Sequence, residues 1–426
     1  MESSSRNKLE KFTKTSNDSI RYKERGRTKG GGRREMLLGI GFLMQGFRCF
    51  PWMAVIFFLK DGLRVDPSTL QILQNSANLP MVAKPFYGLL SDSFYVFGQH
   101  RIPYIAFGAL LQAVSWLTIA SLPSSSMSFF TITVYLLLGN LGASIVEVAN
   151  DAVVAECGKQ SANDSGSSSS DLQSYAWVAS SIGGVLGNLL GGISITQFSP
   201  SAMFSFFGIL LTLQFFITIS VSERSLDLPK SPSNHGIRKQ LSELLLVLRK
   251  PEIYQPISWF AASYAIIPAL TGTMFFYQTQ HLKIESSVLG ISKGTMAVLM
   301  VSDALFVNGF YRTMGIPDSL YIVVVSGLLE VLYFFKTLPF SVLMAKLCPA
   351  GCEGSLMAFV MSSIALAFIV SGYLGVALGS YVEITETDFS GFQKGLLIQA
   401  ACTVLPLFWS SVIPEYPKLK TQKKEK

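Results

Sequence analysis

Four charged residues stand inside long apolar runs of this chain, and their types and spacing admit a definite chemistry. Arg48 lies three residues before Pro51 in one run and Lys84 directly before Pro85 in the next, while Glu147 and Asp151 share a third. Glu147 and Asp151 are four residues apart, so on a helix they occupy one face. Two acids one turn apart in a low dielectric do not both ionise cheaply, so one should keep its proton unless a cation sits close. That suits proton coupling or pairing with Lys84. The plainer reading is a buried ion pair that only ties helices together. Asp303, Glu330 and Lys336 also fall in apolar runs. In a membrane such residues are costly and count as functional candidates by default.

A second constellation joins the second and third runs. It reads Gly88-Leu-Leu-Ser-Asp92, then Gly98-Gln-His-Arg101. This resembles the loop motif of the major facilitator superfamily, Gly-x-x-x-Asp followed by Gly and a basic cluster. An acid at a helix end can accept hydrogen bonds from the N-terminal amides of another helix. Arg101 can pair with Asp92 across the loop, and glycine lets helices approach closely. Gly88, Asp92, Gly98 and Arg101 are therefore expected to form a latch that holds one conformational state.

Other chemistries find little support. The three histidines, His100, His235 and His281, are too dispersed for a metal box, and Cys348 and Cys352 form a lone C-x3-C without a matching pair. Five cysteines, an odd number, argue against a disulfide framework. No metal, cofactor or enzymatic nucleophile is expected. The net charge of +7 does not indicate nucleic acid: 16 of the 34 basic residues sit in Met1–Glu35 and Lys418–Lys426, where anionic lipid headgroups account for them.

These residues must be carried by membrane-spanning helices. Half the chain is hydrophobic and 14% charged, against about 25% charged in soluble domains. Apolar runs long enough to span occur at Met36–Leu59, Leu70–Leu90, Ile102–Leu122, Ser128–Val154, Leu172–Ile195 and Ala202–Val221. A polar, basic linker follows from Ser222 to Lys250, in which Gln240–Leu248 has the pattern of a short amphipathic helix on the membrane. Five more runs occupy Ile257–Tyr277, Ser287–Phe310, Leu320–Met344, Ser355–Ser380 and Gly391–Ile413. The expected organisation is a basic tail (1–35), a six-helix half (36–222), a cytosolic linker (223–250), a five-helix half (251–414) and a Lys-rich tail (415–426). Glycines at 183, 184, 187, 191 and 192 suit close helix packing in the fifth run.

Charge parity questions the count. With the basic N-terminal tail in the cytosol, six spans return the linker there, but five more place the Lys-rich tail outside and the acidic loop Glu383–Asp388 inside. One further helix before Leu320 would repair both, yet His281–Arg312 is too short for two spans and a loop. A helix is therefore expected to be missing. The N-terminal tail itself, basic with five acids, fits a cytosolic tail or a plastid transit segment.

Several segments resemble the folate–biopterin transporter family of the major facilitator superfamily, in its plant plastid-type branch. They include Phe57-Phe-Leu-Lys-Asp61, Leu79-Pro-Met-Val-Ala-Lys-Pro-Phe-Tyr-Gly-Leu-Leu-Ser-Asp92, Asp151-Ala-Val-Val-Ala-Glu156 and Leu347-Cys-Pro-Ala-Gly-Cys-Glu-Gly-Ser355. The resemblance covers about Met36 to Ile413. It implies an all-α bundle of two halves with twelve helices, about eleven of them here, the eighth being absent where Lys293 runs straight into Gly294. It also implies transport of folates or pterins, with protons as a coupling ion, in a plastid envelope or another plant membrane. Arg48, Lys84, Glu147 and Asp151 would be the substrate or coupling residues. Glu147 departs from the family's more frequent Asp but keeps the charge.

Overall fold

The computed structural model describes residues 32–123, 128–163, 169–223, 237–283, 353–406 and 408. Among these residues every regular element is helical. The first run folds as α1 (Gly32–Gly62), 31 residues whose helical hydrogen bonding is interrupted at Arg48. Pro51 explains the interruption, because it has no N–H to return to Phe47 and its ring crowds the preceding turn. Trp52 N–H meets the Arg48 carbonyl only at 3.4 Å.

The second run is two helices, not one. Helix α2 (Pro67–Ala77) starts under an Asp66 cap, whose carboxylate accepts from Ser68 N and Thr69 N, both at 3.0 Å, with Pro67 at the first helical position. A tight 3₁₀ segment, Leu79–Ala83, then leads into α3 (Lys84–Ser93). Pro80 and Pro85 bracket that change of pitch, and it turns Lys84 into the start of a new helix.

Then come α4 (Ile102–Ser121), α5 (Phe129–Asn163), α6 (Ser169–Gln197) and α7 (Pro200–Ile219). Helix α5 has 35 residues, roughly 50 Å at 1.5 Å per residue, so it projects well beyond a bilayer core of about 30 Å. Helix α6 packs against α1 at van der Waals range: a Cβ on Gly183 would collide with the Leu43 carbonyl, and one on Gly46 with the Ser180 carbonyl. That is the close packing expected of this glycine run.

The linker contains α8 (Ile237–Leu248), which extends the amphipathic segment read from sequence by three residues at its start. Helix α9 (Pro251–Ala265) follows. Here the sequence reading of one unbroken span, Ile257–Tyr277, is corrected: the helix stops at Ala265 and restarts as α10 (Thr271–Phe276), which runs into a wider turn over Tyr277–His281. Pro268 is the cause. It offers no N–H and pushes Ile267 toward extended backbone. Helices α11 (Glu353–Tyr381) and α12 (Phe392–Val404) complete the described chain. The spans expected at 287–310 and 320–344, and the junction at Lys293, lie outside the described residues.

Six of these helices are long and apolar enough to cross a membrane. Their outer faces carry the large apolar side chains, for example Val178, Ile182 and Val185 on α6 and Phe206, Ile209 and Phe216 on α7, all exposed. Such a belt is what lipid requires. The largest core cluster joins α1, α2, α4, α5 and α7, and it also takes in Phe275 and Phe276 of α10, so the second half closes onto the first at that end.

Candidate functional site

The interruption at Arg48, the helix start at Lys84 and the middle of α5 converge on one carboxylate. Arg48 Nη1 donates to Glu147 Oε1 at 2.7 Å, and Lys84 Nζ lies 2.6 Å from Glu147 Oε2. Arg48 Nη2 donates to Asn140 Oδ1 at 2.7 Å, and Asn140 Nδ2 in turn donates to the Ala77 carbonyl at 2.6 Å, where α2 ends. Glu147 is only 7% exposed. Two cations on one buried acid leave an excess positive charge, and each carboxylate oxygen is taken by a different helix. Of the two acids the sequence offered as partners of Lys84, Glu147 is the one it pairs with.

Asp151 is placed differently. It lies one turn along the same face of α5, exposed, and among the described residues no ion pair includes it. Asn140, Ser144, Glu147 and Asp151 form a single polar stripe on α5. Asn140 and Ser144 escaped the sequence reading because neither is charged. The signal was the i, i+4, i+7, i+11 spacing itself, which keeps all four within one helix face.

A second cluster occupies the other end of α3. Arg101, 5% exposed, pairs with Asp92, donates to Ser91 Oγ at 2.6 Å and reaches Glu156 Oε1 at 2.6 Å. The expected Asp92–Arg101 pair is present. Among the described residues the amides at the start of α4 are taken not by Asp92 but by Glu223, beyond α7. Glu223 Oε1 accepts from the backbone N–H of His100 and of Ile102, both at 2.9 Å, and from that of Arg101. The amides of the first turn of α4 thus find their anion. Glu156 of α5 belongs to the cluster too. Gly98 sits at φ 74° beside Phe97 at φ 52°, in a two-residue turn closed by Val96 N–H to Gln99 O at 2.8 Å and the reverse bond at 3.0 Å. Only a residue tolerant of the left-handed region suits that position. Among the described residues a Cβ on Gly88 would meet only Val148, at an ordinary 3.5 Å.

His100 is held between Glu156 Oε1 (3.4 Å) and Glu223 Oε2 (3.3 Å). Burial works to lower its pKa, but the hydrogen bonds to the two carboxylates prevail and raise it to about 9. Burial likewise works to raise Glu223, and the bonds from His100 and the three amides outweigh it, lowering it to about 2. The sequence placed His100 inside the motif without a role, and Glu223 lay just past the last apolar residue of its span.

At the opposite end the two halves are bolted together by an amide. Gln71 of α2, 2% exposed, donates through Nε2 to the carbonyls of Ala269 and Gly372, each at 2.6 Å, and accepts from Gly272 N–H at 2.8 Å. Ser76 and Tyr373 add a bond of 2.9 Å, and Phe57 and Phe275 meet edge to face at 5.2 Å.

A lipid-belted helical bundle with a buried charged centre and a polar cluster toward each end has the build of a major-facilitator transporter. Solved structures agree on the fold: the D-xylose-proton symporter superposes with a TM-score of 0.62 at 14% identity, covering 90% of this chain and 98% of that one. The nucleoside transporter NupG does so with 0.57 at 14%, covering 91% and 100%. The chain belongs to the BT1 family, which matches over residues 45–300 and 288–426. It is 57% identical to "Probable folate-biopterin transporter 7" of Arabidopsis thaliana, over 92% of this chain and 95% of that protein. It is 37% identical to "Probable folate-biopterin transporter 9, chloroplastic" of the same plant, over 90% and 77%. To the "Folate-biopterin transporter" of Synechocystis it is 26% identical, over 90% and 83%. The chain is thus a membrane transporter, not an enzyme. The alignment to transporter 7 runs over 422 positions but takes in only 92% of this 426-residue chain. That relative therefore has roughly 30 residues without counterpart here, in number about what one span with its loop needs.

Proposed function

We propose that this protein carries folates or pterins across a membrane by alternating access, coupled to protons. The observation that carries the reading is an exposed carboxylate, Asp151, that enters no ion pair among the described residues and stands one turn of α5 from the cationic Arg48–Glu147–Lys84 centre. A pterin ring is flat and presents adjacent N–H donors, which a carboxylate accepts in paired geometry as it does from other planar donors. Asp151 supplies that carboxylate. Lys84 and Arg48 supply the positive charge that meets the glutamate carboxylates of a folate. A carboxylate outside the Arg48–Glu147–Lys84 ion pair is also the group best suited to take up and release a proton during the cycle. The two halves rock about this centre, the latch at Arg101 and the closure at Gln71 alternating. Membrane lipid is its surroundings, and the chloroplastic relatives support a plastid envelope as the membrane.

A second reading is a shortened, non-transporting form of the same fold. The charge parity of the C-terminal half and the unmatched residues of the Arabidopsis relative favour it. The deciding experiment is uptake of labelled folate and biopterin into transport-deficient cells, comparing this chain with a version carrying a further helix after Lys293, at quantified membrane levels. Uptake by both supports transport by the chain as it stands. Uptake by the lengthened chain alone supports the second reading. Silence from both at normal membrane levels overturns the substrate.

A further inference from the structure

Beside the ion pair, a small, partly open cavity with mixed polar and apolar walls lies between α1, α4, α5 and α7. Gln45, Arg48, Gln112, Glu147 and Gln214 line it, with Met44 among its apolar walls. Its size suits about one water molecule. Three glutamines from three apolar spans are an unusual lining for the interior of a helical half. Gln214 is 4% exposed, and neither Gln214 Oε1 nor Gln45 Oε1 has a hydrogen-bond partner among the described residues. Gln112 is accounted for locally, its Nε2 donating to the Gly108 carbonyl at 3.3 Å.

Two buried acceptors facing one small space call for a shared donor. A metal cation is disfavoured, because Arg48 lines the same space and would repel it. An anion is disfavoured by the Glu147 carboxylate and the amide oxygens. A neutral molecule with two O–H donors fits both orphan oxygens, and its lone pairs can accept from N–H groups of Arg48 that the Glu147 and Asn140 bonds do not use.

We propose that this cavity is a hydration site, in which one water ties Gln45 and Gln214 to Arg48, making Gln214 a positioning residue for the substrate-facing cation. The water fixes the guanidinium together with Glu147 and Asn140. Its consequence for transport rests on the reading of Arg48 given above, whereas the hydration site does not.

The test is X-ray hydroxyl-radical footprinting of the full chain in nanodiscs, since radiolysis of a trapped water oxidises the side chains beside it. Met44 lines the cavity and is 9% exposed; Met53, 0% exposed on the same helix, is the internal control. Met44 is expected to oxidise severalfold faster than Met53, and Gln214→Leu to bring it down toward the control rate. Equal rates in the unmodified protein, a comparison that needs no variant, overturn the site, as does a Met44 rate indifferent to Gln214→Leu in a folded variant. In uptake assays Gln214→Leu should raise the half-saturating folate concentration about two- to tenfold, the range one hydrogen bond controls, with the maximal rate preserved and Gln214→Asn partly restoring it. A fall in maximal rate alone overturns the positioning role. If the unmodified protein carries no folate, the substrate reading falls while the footprint still decides the water.

Discussion

Glu147 answers to two cations at once, and that decides what its loss would do. Glu147→Gln leaves Arg48 and Lys84 in a buried site without the carboxylate that pairs with both. Removing one partner of a buried pair costs about 3–5 kcal/mol, so this variant should show a marked fall in melting temperature in detergent, and one that melts like the parent would overturn the account. Lys84→Ala is milder, since Arg48 still holds Glu147. It should weaken folate uptake more than biopterin uptake, and equal losses would count against Lys84 as the folate cation. Arg48, Lys84, Glu147 and Asp151 were legible because a charge in an apolar run is conspicuous. Asn140, Gln71 and Gln214 were not, because an amide in a span has little weight on any hydropathy pattern. What makes them matter is the partner across the helix interface, which only the fold supplies.

Helix α4 begins on an acid borrowed from the far end of α7. Glu223→Gln should destabilise the protein by about 0.5–2 kcal/mol, as the loss of a helix cap does, read from the shift in its unfolding midpoint. The same cluster sets a pH dependence. Because His100 is raised in the fold, its contribution is complete below its ordinary pKa of 6.5 and is lost as pH climbs through about 9. Glu223 is lowered, so its contribution is present above 4.5 and is lost as pH falls through about 2. Melting temperature should therefore decline between about pH 6.5 and 9, and His100→Gln should flatten that decline; an unchanged slope would remove His100 as its cause. Helix positions were readable from apolar run length. The break at Pro268 was not, because run length alone gave a full span and overrode the one residue that cannot continue it.

Over the whole molecule, the ends of the two halves opposite Arg101 meet on Gln71, which uses both ends of its amide to hold α10 and α11 against α2. Gln71→Leu keeps the bulk and leaves the Gly272 N–H and two carbonyls unanswered. It should shift the population toward the outward-open state, seen as faster labelling of a cysteine introduced at Ser76 by an impermeant maleimide added from outside. Unchanged labelling would mean the closure rests on packing alone. The two-half architecture could be read from span count and charge parity. The faces on which the halves meet could not, because an interface that opens and closes has no constant hydropathy to display.

The ion pair also has a history in the life of each chain. Arg48 and Glu147 are separated by 99 residues, so at about 5–20 residues per second the ribosome needs roughly 5–20 s to deliver the acid after the arginine. During that interval α1 holds an unneutralised guanidinium at a cost of about 2.5–3.5 kcal/mol in the bilayer centre. The first helices are therefore unlikely guests of free lipid, and insertion must keep them in a sheltered place until α5 arrives.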